Sequence, residues 1–191
     1  MTEMTDSLAG RVLLAAPQLA DPNFVRTVVL LVQHHDEGAV GVILNRPSEV
    51  GVADVLPPWA SLASGPPVVF RGGPVSPDGA LCLARINGGD EPLGWHSLEV
   101  PELGSLGVLD LDAPPVMVAH QVEQLRVFAG YAGWEAGQLE GEIKEGAWYV
   151  LPAHREDPFS ERPDDLWRSV LRRQGGQLAM LATLPTDPSL N

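Results

Sequence analysis

Gln138, Glu140 and Glu142 are the residues whose types and spacing come nearest to chemistry in this chain. On a helix, the i, i+4 spacing puts Gln138 and Glu142 on one face and turns Glu140 away from it. Paired carboxylates do acid–base work when a raised pKa or a nucleophile accompanies them, and the neighbouring sequence supplies neither. A second group, His34, His35, Asn45 and Arg46, falls at the ends of two apolar runs. There Arg46 would offer a planar donor fork to a carboxylate or phosphate. The third group is Arg71-Gly72-Gly73-Pro74, whose glycines would expose backbone N–H groups to an anion. Each group also has a structural reading. Asn45 and Arg46 would organise the turn before Pro47, and Gly72 and Gly73 a tight turn or close backbone approach. Tyr131, Trp134 and the surrounding glycines would build a strand–helix corner.

Most catalytic signatures are absent. There is no phosphate-cradling P-loop, no GxGxxG after a strand, no GxSxG elbow and no HExxH. His34 and His35 are adjacent at a strand end, so their side chains point to opposite faces and do not share a metal. Cys82 lies within an apolar strand and reads as a buried, inert thiol. No metal or cofactor is expected.

These groups need elements to position them. Residues 11–16 read as a strand stopped by Pro17. Residues 27–44 read as a β-hairpin turning at Asp36-Glu37-Gly38, with Pro47 ending its second strand. Val52–Leu56 reads as a short helix. Short strands are expected at 68–70, 80–86, 95–100 and 106–111. Val118, Val122 and Leu125 form an i, i+4, i+7 stripe that favours a helix over 116–125. A strand over 126–131 then leads to a helix over 136–145, with Leu139 and Ile143 inward and Gly146 at its C-terminal cap. Gly137 and Gly141, also i, i+4, would let another element pack closely. Pro163-Asp164-Asp165 opens the last helix, interrupted at Gly175-Gly176. Strands dominate without βαβ alternation, so the fold class is α+β, with a mixed, largely antiparallel sheet and about three helices; a partly closed barrel is permitted. Residues 1–191 make one domain, with 1–8 and 185–191 as extended tails.

The net charge of −13 is unevenly distributed. Residues 1–154 carry seven basic against nineteen acidic side chains, while 155–173 carry five of each. Arg168, Arg172 and Arg173 form one small cationic patch, which reads as a solvated helix face. A duplex contact there would have to overcome the acidic surroundings, so direct nucleic-acid binding is disfavoured. A single cysteine, no signal-like leader and no long apolar run make a cytoplasmic protein the expectation.

Three ordered segments together resemble the AlgH/YqgE-type bacterial proteins. They are Asp21-Pro22-Asn23-Phe24 through Leu44-Asn45-Arg46-Pro47, then Gly72-Gly73-Pro74-Val75, then Gly130-Tyr131-Ala132-Gly133-Trp134 with Gly137-Gln138-Leu139-Glu140 and Trp148. The resemblance implies one α+β domain with its sheet curled toward a pseudo-barrel, in a bacterial intracellular protein. It implies no activity, cofactor or catalytic residue, and for some members a label as regulators of transcription or exopolysaccharide synthesis. The leading expectation is a non-enzymatic binding or regulatory domain acting through a protein partner or small ligand. Its candidate site is His34, Asn45, Arg46, Gly72, Gly73, Tyr131, Trp134, Gln138, Glu140 and Glu142, with an apolar groove near Tyr131 and Trp134. The rival is a hydrolase or nucleotide-handling enzyme. It would use Arg46 for an anion and Glu140 or Glu142 as base, which requires the three motifs to meet in one pocket. Direct DNA contact through the arginine patch is the third reading.

Overall fold

Apolar alternation in the first hairpin already requires two buried faces. In strand β1 (Arg11–Ala15), Val12 and Leu14 join one cluster while Leu13 and Ala15 join another. Strand β2 (Val28–His35) splits in the same way, with Val28, Leu30 and Val32 on one side and Val29 and Leu31 on the other. Period-two side-chain alternation gives a strand this double burial when both faces of its sheet are covered. The computed structural model of the chain describes residues 6–185 and shows what covers them.

Among the described residues, ten strands form one curled sheet. The remaining strands are β3 (Gly38–Ile43), β4 (Pro47–Gly51), β5 (Val68–Arg71), β6 (Val75–Ile86), β7 (Trp95–Ser97), β8 (Leu106–Leu109), β9 (Val122–Glu135) and β10 (Trp148–Pro152). The order is β10-β1-β2-β3-β9-β6-β8-β7, with β4 and β5 as a side arm on β9. Among the described strands every pairing is antiparallel except β5 with β9. The concave side holds the main core, including Leu30, Phe70, Leu83 and Phe128. It is closed by helix α4 (Leu166–Arg172) and helix α5 (Gly176–Leu181). One convex half carries the cluster around Trp134 and Trp148 under helix α3 (Gln138–Lys144). The other carries Cys82, Val127 and Trp59 under helix α1 (Val52–Val55) and the 3-10 turns that follow it. The result is a single α+β domain with a half-barrel sheet.

β9 serves both halves, and Gly130 makes that possible. Before it, Leu125 and Val127 face the convex cluster and Phe128 the concave core. After it, Tyr131 packs on the concave core and Ala132 and Trp134 face outward. The inward positions step from 128 to 131, so the alternation slips by one residue. Gly130 absorbs the slip at φ +72°, where an L side chain is disfavoured.

The helix expected over 116–125 is corrected. Helix α2 covers only Pro115–Val118, and β9 begins at Val122. Val118, Val122 and Leu125 do share one cluster, but strand pairing with β6 won the register from Ile86↔Val122 onward. The helices are five and short, none longer than seven residues among those described. Of the expected tails, residues 1–5 and 186–191 lie outside the described residues. Ser7 and Leu8 are held against β2: the Ser7 hydroxyl donates to the His34 carbonyl and the Leu8 N–H to His34 Nδ1.

Candidate functional site

The three motifs meet through their backbones. The Gly72 N–H donates to the Ala129 carbonyl at 2.8 Å, and the Gly72 carbonyl accepts from the Ile43 N–H at 2.9 Å. The Arg71 N–H donates to the Arg46 carbonyl at 2.7 Å. The middle motif is thus wedged between the end of β3 and the bend of β9. A Cβ on Gly72, Gly73 or Gly130 would come within 3.0 Å of backbone on the facing segment, so all three glycines are demanded by close approach. The Gly72 amide is used in this lacing and is not free for an anion.

The polar side chains of the motifs turn to protein partners. Asn45 Oδ1 accepts from the Val28 N–H and its Nδ2 donates to the Arg26 carbonyl, each at 2.9 Å. Arg46 donates to the carbonyls of Pro22 and Val25. Burial first, and the charge of Arg71 second, hold the Arg46 guanidinium below its ordinary pKa. The same 21–26 loop sends Phe24 onto the rings of Trp134 and Trp148. Behind them, Glu142 Oε2 accepts from both indole N–H groups, at 2.9 Å from Trp134 and 2.8 Å from Trp148, while its Oε1 accepts from Gln138. Gln138 Oε1 in turn accepts from the Glu135 N–H.

Glu140 reaches the other way. Its carboxylate lies 2.6 Å from Nε2 of His34, a buried ring at the end of β2. Because Nδ1 already accepts the Leu8 N–H, the neutral ring carries its proton on Nε2 and donates it to Glu140. That hydrogen bond holds the Glu140 carboxyl below its ordinary pKa. His35 is exposed on the opposite face. Gly137 and Gly141 have no atom within 4 Å of an added Cβ, so the expected close packing there is corrected: Gly137 is a left-handed helix start and Gly141 is simply open. Arg168, Arg172 and Arg173 also face inward or to neighbours. Arg173 is paired with buried Asp157, Arg172 with Asp165, and Arg168 donates to the carbonyls of Ala182 and Leu184.

A groove adjoins the motif junction. It crosses the convex face over β5, β9 and β6, with α1 on one side and the looped-out 76–79 segment of β6 on the other. Its volume is about 560 Å³, and its lining is largely apolar: Val50, Val55, Leu56, Val69, Val127 and Ala129 with Gly73. Val50 and Val55 are 44% and 53% exposed. Ser48, Arg71 and Asp78 are the polar groups. Leu56, Gly79 and Ala80 also line a second recess of about 630 Å³ that reaches Tyr131, Asp110 and buried Cys82, whose thiol burial pushes well above its ordinary pKa. Tyr131 therefore borders the groove system, whereas Trp134 is 7% exposed and sits in the aromatic cluster under α3.

The valine lining went unnoticed in the sequence. The available signal was alternation around Phe70: with Phe70 committed to the core, Val69 and Arg71 must face outward together. Two buried arginines also went unnoticed. Arg85 and Arg126 lie on the concave side and donate mainly to carbonyls: Arg85 to Leu103, Arg155 and the Gln124 side chain, Arg126 to Gly65, Pro158 and Ser160. No group of three or more His, Cys, Asp or Glu side chains among the described residues is placed to hold a metal. Nor is any helix among them long and apolar enough to cross a membrane.

A curled-sheet α+β domain with three glycine motifs spliced at one strand bend defines the class. The chain belongs to the AlgH-like family: a model of that family (DUF179) matches residues 12–179. It is 56% identical over 195 residues to a UPF0301 protein of Streptomyces coelicolor, covering 100% of this chain and 98% of that one. It is 55% identical over 190 residues to a UPF0301 protein of Thermobifida fusca, covering 97% and 96%. Among solved structures it is similar to protein DIP2367 of Corynebacterium diphtheriae, with TM-score 0.84 and 31% identity over 92% of this chain and 91% of that one. It is also similar to the solution structure of AlgH from Pseudomonas aeruginosa, with TM-score 0.69 and 31% identity over 98% and 99%.

Proposed function

We propose that this protein is a non-enzymatic binding domain that holds a small ligand with an apolar body in the groove beside the motif junction. One observation carries the reading. The motif side chains Asn45, Arg46, Gln138, Glu140 and Glu142 are engaged in internal hydrogen bonds, while exposed valines line an open groove beside Gly73. Apolar surface of this kind, in a concavity of ligand size, is the usual form of a small-molecule site. The motifs then serve to hold the groove's walls in register. The enzyme reading draws less support, because Arg46 and Glu142 bond to different partners on either side of the 21–26 loop. The test is a neutral solvatochromic dye such as Nile red. The wild-type protein is expected to bind it, and Val55→Asp to weaken binding at least tenfold at an unchanged unfolding midpoint. Equal binding by the two proteins would refute the assignment.

A further inference from the structure

The groove has one unusual polar member. Arg71 stands next to Val69 on the groove side of β5, and its side chain makes no hydrogen bond or ion pair with any described residue. Arg71 stands exposed at the rim of an apolar groove with no carboxylate partner among the described residues, although acidic side chains outnumber basic ones, and its planar fork can pair with an oxyanion held there. On the adjoining strand the Ser48 hydroxyl accepts from the Val50 N–H and keeps its own hydrogen for a ligand. The Arg71 charge is felt at Arg46, so two cations stand near one another at that end of the groove. Asp78, from the β6 loop, is the opposing charge in the lining and forms no ion pair with Arg71.

We infer that the groove takes an amphipathic anion: an aliphatic body over Val50, Val55 and Val127, with a terminal oxyanion on the Arg71 guanidinium and the Ser48 hydroxyl. This rests on the groove reading above and adds the headgroup to it. A neutral apolar ligand would leave Arg71 unpaired, and a cationic one would face it directly.

The experiment is displacement of Nile red from the full chain by decanoate, decyl phosphate, decan-1-ol and decyltrimethylammonium, each below its micelle concentration. Both anions are expected to displace the dye at roughly tenfold lower concentration than the alcohol, with the cation weakest. Arg71→Gln, an exposed substitution, should abolish the anion preference and leave the alcohol unchanged, while Asp78→Asn should tighten both anions severalfold. Decyl phosphate outranking decanoate would assign the headgroup as a phosphoryl group, and the reverse order as a carboxylate. Alcohol as effective as the anions, a preference for the cation, or an anion preference that survives Arg71→Gln would overturn the inference while leaving the groove standing. Failure of the wild-type protein to bind both dye and alcohol would overturn the groove reading itself.

Discussion

Glu142 shows how completely a suggestive residue is accounted for once its partners are known. One carboxylate oxygen takes two indole N–H groups from β9 and β10 and so ties the two strands across the base of α3. Replacing it with Leu would leave both indole donors unpaired beneath the helix. We expect Glu142→Leu to cost about 3 kcal/mol, read as a lower urea midpoint with altered tryptophan emission; an unchanged midpoint would contradict the bracing role. Glu140 is expected to behave differently, because its effect depends on pH. Its folded pKa is depressed, chiefly by the His34 hydrogen bond, so its contribution is present above the unfolded value of about 4.3 and disappears as pH falls through the lower folded value. Half-exposed as it is, the contribution is small. Urea melts of wild type and Glu140→Gln should differ at pH 6 and converge at pH 3; a constant difference would refute a stabilising His34–Glu140 pair. The sequence made Glu140 and Glu142 legible as diverging side chains. It gave no access to their partners: His34 arrives from a strand 106 residues away, and the two tryptophans, though only 8 and 6 residues from Glu142, meet it only once β9 and β10 pack beneath α3.

At the scale of elements, the bend in β9 decides the architecture. The hairpin of β2 and β3, the α3 corner and the Gly146 cap were readable because each is a local matter of alternation, turn residues and helix period. Three things were not readable: the start of β9 at Val122, the wedging of Gly72 between β3 and β9, and the slip at Gly130. Strand pairing is set by segments dozens of residues away, and a short apolar stripe fits helix or strand equally well. The two left-handed glycines of the third motif separate the packing role from the conformational one. Gly130→Ala combines a disfavoured φ with a clash against the Gly73 and Val75 carbonyls. It should cost about 4 kcal/mol or prevent soluble expression. Gly137→Ala meets nothing and should cost about 1 kcal/mol. Thermal melts of the pair check this, and similar losses from both would refute the splice.

For the whole molecule, the half-barrel leaves one convex face tightly sealed and the other open at the groove. On the concave side, the Arg126 guanidinium lies over the Phe70 ring and donates to the carbonyls of Gly65, Pro158 and Ser160, tying the turn at Gly65 to the 157–160 segment. Burial pushes its pKa down to about 10, so at neutral pH it is still charged and its value lies in the carbonyls it satisfies. Arg126→Met is expected to lower stability by about 3 kcal/mol in chemical denaturation, with groove binding unaffected at temperatures where the variant is folded. A neutral or stabilising outcome would show that those carbonyls find other donors.

The central claim is that the motifs build the frame and the neighbouring groove does the binding. The most direct measurement is an amide-resolved NMR titration of the full chain with decan-1-ol. Shifts are expected to cluster at residues 48–56, 69–73, 77–80 and 127–129, which frame the groove. Shifts centred instead on Asn45, Arg46 and the Gln138 to Glu142 face, or none at saturating alcohol, would contradict it.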